Sequence, residues 1–205
     1  MSPQVSIVKT GIANLASVQA GLERAGAQVH IVDSPEEVET APFVVLPGVG
    51  AFAAGMNKLE ETGIKGVLIE RISSGRPTLA ICLGLQLLFE ESEESPGVQG
   101  LGIIPGKVQR FAQNLTVPHF GWNKVKPSSE CDLLTPGYAY FANSYRVTEV
   151  PDDWSPAYTD YGQEFVSGFE KGAVLCGQFH PELSSAWGLG LLQRWLEKGQ
   201  GELSC

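Results

Sequence analysis

Thr78-Leu79-Ala80-Ile81-Cys82-Leu83-Gly84-Leu85-Gln86 is the stretch that decides the fold. Thr78 to Ile81 reads as a buried strand, and it delivers Cys82 straight into a glycine-bearing turn and the start of a helix. A strand that passes directly into a helix makes a tight turn, so the apical residue projects from the carboxyl end of the sheet with a helix N-terminus beneath it. Unpaired N–H groups and the positive end of a helix dipole favour a thiolate there. A lone cysteine in an apolar run is more often a core residue, so its neighbours must decide.

Upstream of this stretch the chain alternates strand and helix. Val5 to Val8 predicts a strand, and Leu15, Val18 and Leu22 recur at helical spacing behind Asn14 as N-cap, with Gly26 as the stop. Val29 to Val32 is a second strand, Ser34-Pro35-Glu36-Glu37 a capped helix start, and Phe43 to Leu46 a third strand. The turn Pro47-Gly48-Val49-Gly50 leads into helix, with Ile64, Val67, Leu68, Arg71 and Ile72 marking one face before Gly75 and Pro77. Downstream, Gly97 to Phe169 is rich in proline, glycine and aromatics, with short alternating strands at Lys107 to Phe111 and Tyr138 to Tyr145. It reads as an antiparallel edge. Ala173 to Phe179 is again a continuous apolar strand, and Leu189, Leu192, Trp195 and Leu196 stripe a closing helix.

This order predicts an α/β fold of three layers: a mostly parallel central sheet, helices on both faces and an added antiparallel edge, in a single domain over residues 1–205. Ligand sites in such sheets lie beyond the carboxyl ends of the strands, where Pro47–Gly50 and Leu83-Gly84 would face each other across one crevice. With 205 residues, 18% of them charged, and a net charge of −9 without a basic cluster, the chain suits neither nucleic acid nor a membrane as partner. No signal-like start and four scattered cysteines, Cys82, Cys131, Cys176 and Cys205, without CxxC pairing predict a cytosolic protein with reduced thiols and no metal site.

A cysteine nucleophile needs a base, and the histidines are only His30, His119 and His180. His180 follows an apolar strand, as Cys82 does, and Glu182 lies two residues on, placed to orient it across the stiffening Pro181. Taken alone, His-Pro-Glu reads as a surface turn. An acyl-transfer intermediate also needs oxyanion donors, for which the amide of Leu83 and those of the Gly48-Val49-Gly50 turn are the candidates, glycine permitting the positive φ angles that gather amides into one concavity.

At this point the chain resembles the class I, or triad, glutamine amidotransferases. Ala80-Ile81-Cys82-Leu83-Gly84-Leu85-Gln86 is similar to their nucleophile elbow and Gln178-Phe179-His180-Pro181-Glu182 to their His-Glu element. Leu46-Pro47-Gly48-Val49-Gly50-Ala51-Phe52, Leu87-Leu88-Phe89-Glu90-Glu91-Ser92-Glu93-Glu94, Pro118-His119-Phe120-Gly121-Trp122-Asn123 and Tyr140-Phe141-Ala142-Asn143-Ser144-Tyr145 narrow the resemblance to the glutaminase subunits of imidazole glycerol phosphate synthase. The resemblance implies hydrolysis of L-glutamine to glutamate and ammonia by Cys82, His180 and Glu182, with Val49, Gly50 and Leu83 at the oxyanion and Gly48, Gln86, Ser144 and Tyr145 at the substrate. It implies no cofactor. It also implies a heterodimer with a cyclase subunit in histidine biosynthesis, with Asn14, Trp122, Tyr140 and Leu183 as candidate contacts, although Trp122 reads equally as a core aromatic.

Three positions depart from the family pattern. Ala80 replaces a glycine of the elbow, Ala13 a glycine in Thr10-Gly11-Ile12-Ala13-Asn14, and Leu183 the lysine that commonly follows His-Pro-Glu. The last two fall where the partner is expected. Three other readings stay open: service to another ammonia-using synthase, a non-catalytic binding module of the same architecture, or a thiol hydrolase of γ-glutamyl compounds.

Overall fold

The computed structural model describes residues 2–11 and 14–203. Ala13 and Cys205 lie outside the described residues. Five parallel strands build one half of a nine-stranded sheet: β1 (Gln4–Val8), β2 (Gln28–Val32), β3 (Phe43–Leu46), β4 (Thr78–Ile81) and β12 (Val174–Gly177), in the spatial order β2-β1-β3-β4-β12. Alternate residues of these strands serve opposite layers. Ile7, Val45, Leu79, Ile81 and Leu175 pack with Val18 and Leu22 of α1 (Leu15–Arg24) and with Leu192, Trp195 and Leu196 of α6 (Ser185–Leu203). Val44, Leu46, Ala80 and Val174 pack instead with Val38 of α2 (Pro35–Thr40), Met56 and Leu59 of α3 (Phe52–Glu61) and Leu68 of α4 (Ile64–Ser73). A strand covered on both faces needs an unbroken apolar run, which is why Thr78–Ile81 carries no polar alternation.

The helix starts follow the expected chemistry. Asn14 Oδ1 accepts the Ser17 N–H at 3.3 Å, and the Ser34 side chain accepts from Glu37 N with Pro35 opening the helix.

The rest of the sheet is the antiparallel edge. From β12 it continues through β11 (Glu164–Lys171), β10 (Ser155–Asp160), β7 (His119–Pro127) and β8 (Gly137–Asn143). A separate sheet holds β5 (Phe89–Ser92), β6 (Ile104–Arg110) and β9 (Tyr145–Arg146). Two expectations change here. The strand expected from Lys107 lies in this small sheet, not in the antiparallel edge. The strand expected from Tyr138 to Tyr145 is broken at Ser144 between β8 and β9, because Phe111 N donates to Ser144 O at 3.2 Å and Asn143 Nδ2 to Tyr145 O at 2.9 Å.

The helix after Cys82 also differs. α5 (Leu83–Gln86) is a single turn, because Leu101 N takes the Leu87 carbonyl while Ile103 N and Ile104 N share that of Leu88. The dipole available beneath Cys82 is therefore that of one turn. No described helix is long and apolar enough to cross a membrane.

Candidate active site

Cys82 sits at the apex of the β4-to-α5 turn with φ +54°, a left-handed backbone that costs an L-residue energy and here aims the side chain off the end of the sheet. Its N–H donates to Gly177 O at 2.8 Å, which pins the apex to β12. Gly84 is required by close approach: a Cβ there would lie 2.0 Å from the Leu46 carbonyl oxygen. Ala80 is buried against the α2–α4 layer, where its methyl group is accommodated.

His180 leaves the end of β12 and is held by its own backbone N–H on Tyr140 O at 2.9 Å. Its Nδ1 lies 2.8 Å from Glu182 Oε1, with both side chains almost fully buried. The chain from His180 to Glu182 passes into a 3-10 turn at Pro181–Leu183, with Pro181 at its first position. Gly21 of α1 packs directly on it, since a Cβ there would meet Glu182 Cβ at 2.9 Å. Burial alone would lower the His180 pKa. Hydrogen bonds to Cys82 and Glu182, together with their charges, outweigh it and raise the pKa to about 10.

Gln178 completes the buried cluster. It donates Nε2–H to Cys82 Sγ at 3.5 Å and accepts from Gln86 Nε2 at 2.8 Å. It lies just past the end of β12, two residues before His180, so it was within the quoted His-Glu element but its contact with Cys82 was not signalled by spacing.

The amides expected to hold an oxyanion are not gathered into one concavity in this arrangement. Leu83 N–H donates to Gly48 O at 3.2 Å. In a trans peptide the C=O and the following N–H point oppositely, so the Val49 N–H is directed away from Leu83. Gly48 is also not in the left-handed region, unlike Gly50 at φ +99°. Its missing Cβ serves the close approach instead, because one would meet Leu83 Cβ at 2.8 Å.

Beside Cys82 lies a cavity of about 150 Å³ bordered by Val49, Gly50, Gln86, Glu94, Ser144 and Tyr145. A cavity of that size accommodates a molecule on the order of benzene. Gly48 does not border it but lines a void of about 10 Å³ with Asn14, Val49, His180 and Glu182. Glu94 also borders this cavity; it ends the Leu87-to-Glu94 motif of the family resemblance, without a role assigned to it there, and its hydrogen bond runs to α3, more than forty residues away. The described residues contain no group of three or more His, Cys, Asp or Glu that could hold a metal.

Trp122 is 52% exposed, which removes the core reading of this residue, and its ring stands edge-on to Tyr140 at 6.1 Å between centroids. Both project from the β7–β8 hairpin, and Leu183 is exposed on the turn after His180.

Comparison with known proteins agrees with this geometry. The family profile for class-I glutamine amidotransferases matches residues 7–196. A Pyrococcus furiosus protein, imidazole glycerol phosphate synthase subunit HisH, is 45% identical over 94% of this chain and 97% of its own length. The Moorella thermoacetica subunit of the same name is 42% identical over 94% of both chains. The chloroplastic imidazole glycerol phosphate synthase hisHF of Arabidopsis thaliana is 39% identical, with the match covering 34% of that longer protein. A solved structure described as a glutamine amidotransferase shares the fold, with TM-score 0.77 at 20% identity over 96% of this chain and 98% of that one.

Proposed function

Because the chain belongs to the class-I glutamine amidotransferases, we infer that it is the glutaminase subunit of an imidazole glycerol phosphate synthase, hydrolysing L-glutamine and passing the ammonia to a cyclase partner. The observation that carries the chemistry is the His180–Glu182 pair, 2.8 Å apart and buried, next to Cys82 at the strained apex.

With His180 held protonated up to about pH 10 by its interactions with Cys82 and Glu182 against the effect of burial, the first step uses it as an acid. The Cys82 sulfur attacks the amide carbon of glutamine, and negative charge builds on the carbonyl oxygen. His180 gives its proton to the departing nitrogen, the C–N bond breaks, and ammonia leaves a glutamyl thioester. His180, now neutral, takes a proton from water whose oxygen attacks the thioester. The C–S bond breaks, and glutamate and the resting pair are restored. Glu182 holds the imidazole in register throughout. Gln86, Ser144 and Tyr145 border the place where the substrate would sit, and Glu94, the one carboxylate bordering it, suits a cationic ammonium group.

Stabilising the oxyanion requires the 48–49 peptide to turn over, which would free the Leu83 N–H and bring in that of Val49. Removing one such donor costs roughly 10²- to 10³-fold in kcat, so the isolated chain should be a slow glutaminase. Asn14, Trp122, Tyr140 and Leu183 are proposed as partner contacts that bias this turn. Reduced cysteines, the only described ones being unpaired, fit a cytosolic site of work.

The test incubates the chain with glutamine, alone and with its cognate cyclase and the cyclase's nucleotide ligand, and follows glutamate. Stimulation on the order of 10²-fold by the partner is expected; unchanged turnover would sink the coupled-subunit reading. Cys82→Ala should abolish hydrolysis while leaving the far-UV spectrum and the melting temperature in place.

A further inference from the structure

We propose that Glu94 is a positioning residue that ties the substrate cavity to the turn carrying the 48–49 peptide. The proposal rests on the glutaminase reading above and adds a part to it. α3 begins without a cap of its own: Ala51 stands at the N-cap position and offers no side-chain acceptor. The acceptors come from across the chain, Glu94 Oε2 receiving Phe52 N–H at 2.6 Å and Ser95 Oγ receiving Ala53 N–H at 3.2 Å. A carboxylate on the first amide of a helix is charge-assisted and complements the dipole.

The two acceptors are not equivalent. Glu94 borders the cavity beside Cys82, as do Val49 and Gly50, whereas Ser95 does not. Phe52 follows Val49 by three residues, with Gly50 at φ +99° between them as the pivot. Phe52 itself is buried, so α3 is fixed on its core side. The loop that bears Glu94 is fixed as well, with Arg110 N donating to Glu93 Oε2 at 2.8 Å and Glu94 N to Ser92 Oγ at 3.2 Å. One carboxylate therefore fixes the helix end of the turn and at the same time supplies negative charge to the cavity. The 48–49 peptide turns over about an anchored end, and the anchor stands where the substrate is seated.

Two conservative substitutions separate these duties. Glu94→Gln keeps an acceptor at full reach for Phe52 N–H but removes the charge. Glu94→Asp keeps the charge but withdraws it from Phe52 by one methylene. Ser95→Ala serves as the capping control. Steady-state glutamine hydrolysis is measured for each in the complex with the cyclase and its nucleotide ligand. Glu94→Gln is expected to raise KM about tenfold with kcat within about twofold of wild type, and Glu94→Asp to lower kcat about tenfold with little change in KM. Ser95→Ala should lower the melting temperature without moving either constant.

The proposal is overturned if Glu94→Asp retains wild-type kcat, or if Ser95→Ala lowers kcat as much as Glu94→Asp does, which would reduce Glu94 to a helix cap. An inactive wild-type complex would instead overturn the glutaminase reading, so the two failures are distinguishable.

Discussion

His180 and His119 show how one residue type takes opposite electrostatic roles in one chain. His180 is held protonated to about pH 10 against the unperturbed 6.5, so the folded state binds more protons than the unfolded one between those values. Its stabilising contribution is complete below about pH 6.5 and disappears as the pH rises through about 10. His119, stacked between Tyr161 and Phe141 with ring centroids 4.0 and 4.8 Å away, is pushed down to about 4 by burial. Between about 6.5 and 4 the unfolded chain takes up a proton that the folded chain refuses, so stability falls on acidification. Urea unfolding over a pH series should therefore give a flatter alkaline limb for His180→Gln and a flatter acid limb for His119→Gln. In the sequence His180 stands out only in combination, Glu182 following at two residues and Cys82 needing a base. Nothing local distinguished His119, whose environment is assembled from β7, β8 and Tyr161.

At the scale of elements, close approach and buried cations set what each helix can do. α1 touches the His-Glu turn through Gly21, and Gly21→Ala would drive a methyl group into Glu182 Cβ, 2.9 Å away. Displacements of this order at a catalytic group cost up to about 10²-fold in rate, so partner-stimulated kcat should fall by about tenfold or more while the melting temperature changes little. On α4, Arg71 stood in the sequence among the apolar face markers, and it is 1% exposed. Its guanidinium donates to the carbonyls of Val38, Ala41, Pro42 and Pro77 and to Thr78 Oγ1, tying α4 to the end of α2 and the start of β4. Arg71→Met keeps much of the length but leaves buried carbonyls short of donors, and should cost about 3 kcal/mol in urea unfolding. Helical periodicity placed Arg71 on the inward face correctly. It could not reveal that the partners there are loop carbonyls.

Across the whole molecule, the parallel half of the sheet carries the Cys82 and His180 elements, and the antiparallel half carries an exposed aromatic face. Phe120, Trp122 and Tyr138 are all more than half exposed, and the register Trp122 to Tyr140 and Lys124 to Tyr138 sets them on one side of the β7–β8 hairpin. Exposed aromatics in such a cluster mark an interaction surface. Under the proposed pairing with a cyclase, Trp122→Ala should weaken association by about 2 kcal/mol, as truncating an aromatic anchor does, with no loss of thermal stability. Calorimetric titration of the partner against both proteins measures it.

The sequence by itself determined the parallel core, the strand-to-helix apex at Cys82 and the pairing of His180 with Glu182, because each rests on spacing within a few residues and on apolar runs that only a doubly covered strand permits. The tertiary structure alone decided the break at Ser144, the capping of α3 by Glu94 and the orientation of the 48–49 peptide, because these depend on hydrogen bonds between segments far apart in the chain. A glycine turn is compatible with either face of a peptide pointing inward. Which face does so was settled by the Leu83 amide, which finds the Gly48 carbonyl within hydrogen-bonding reach.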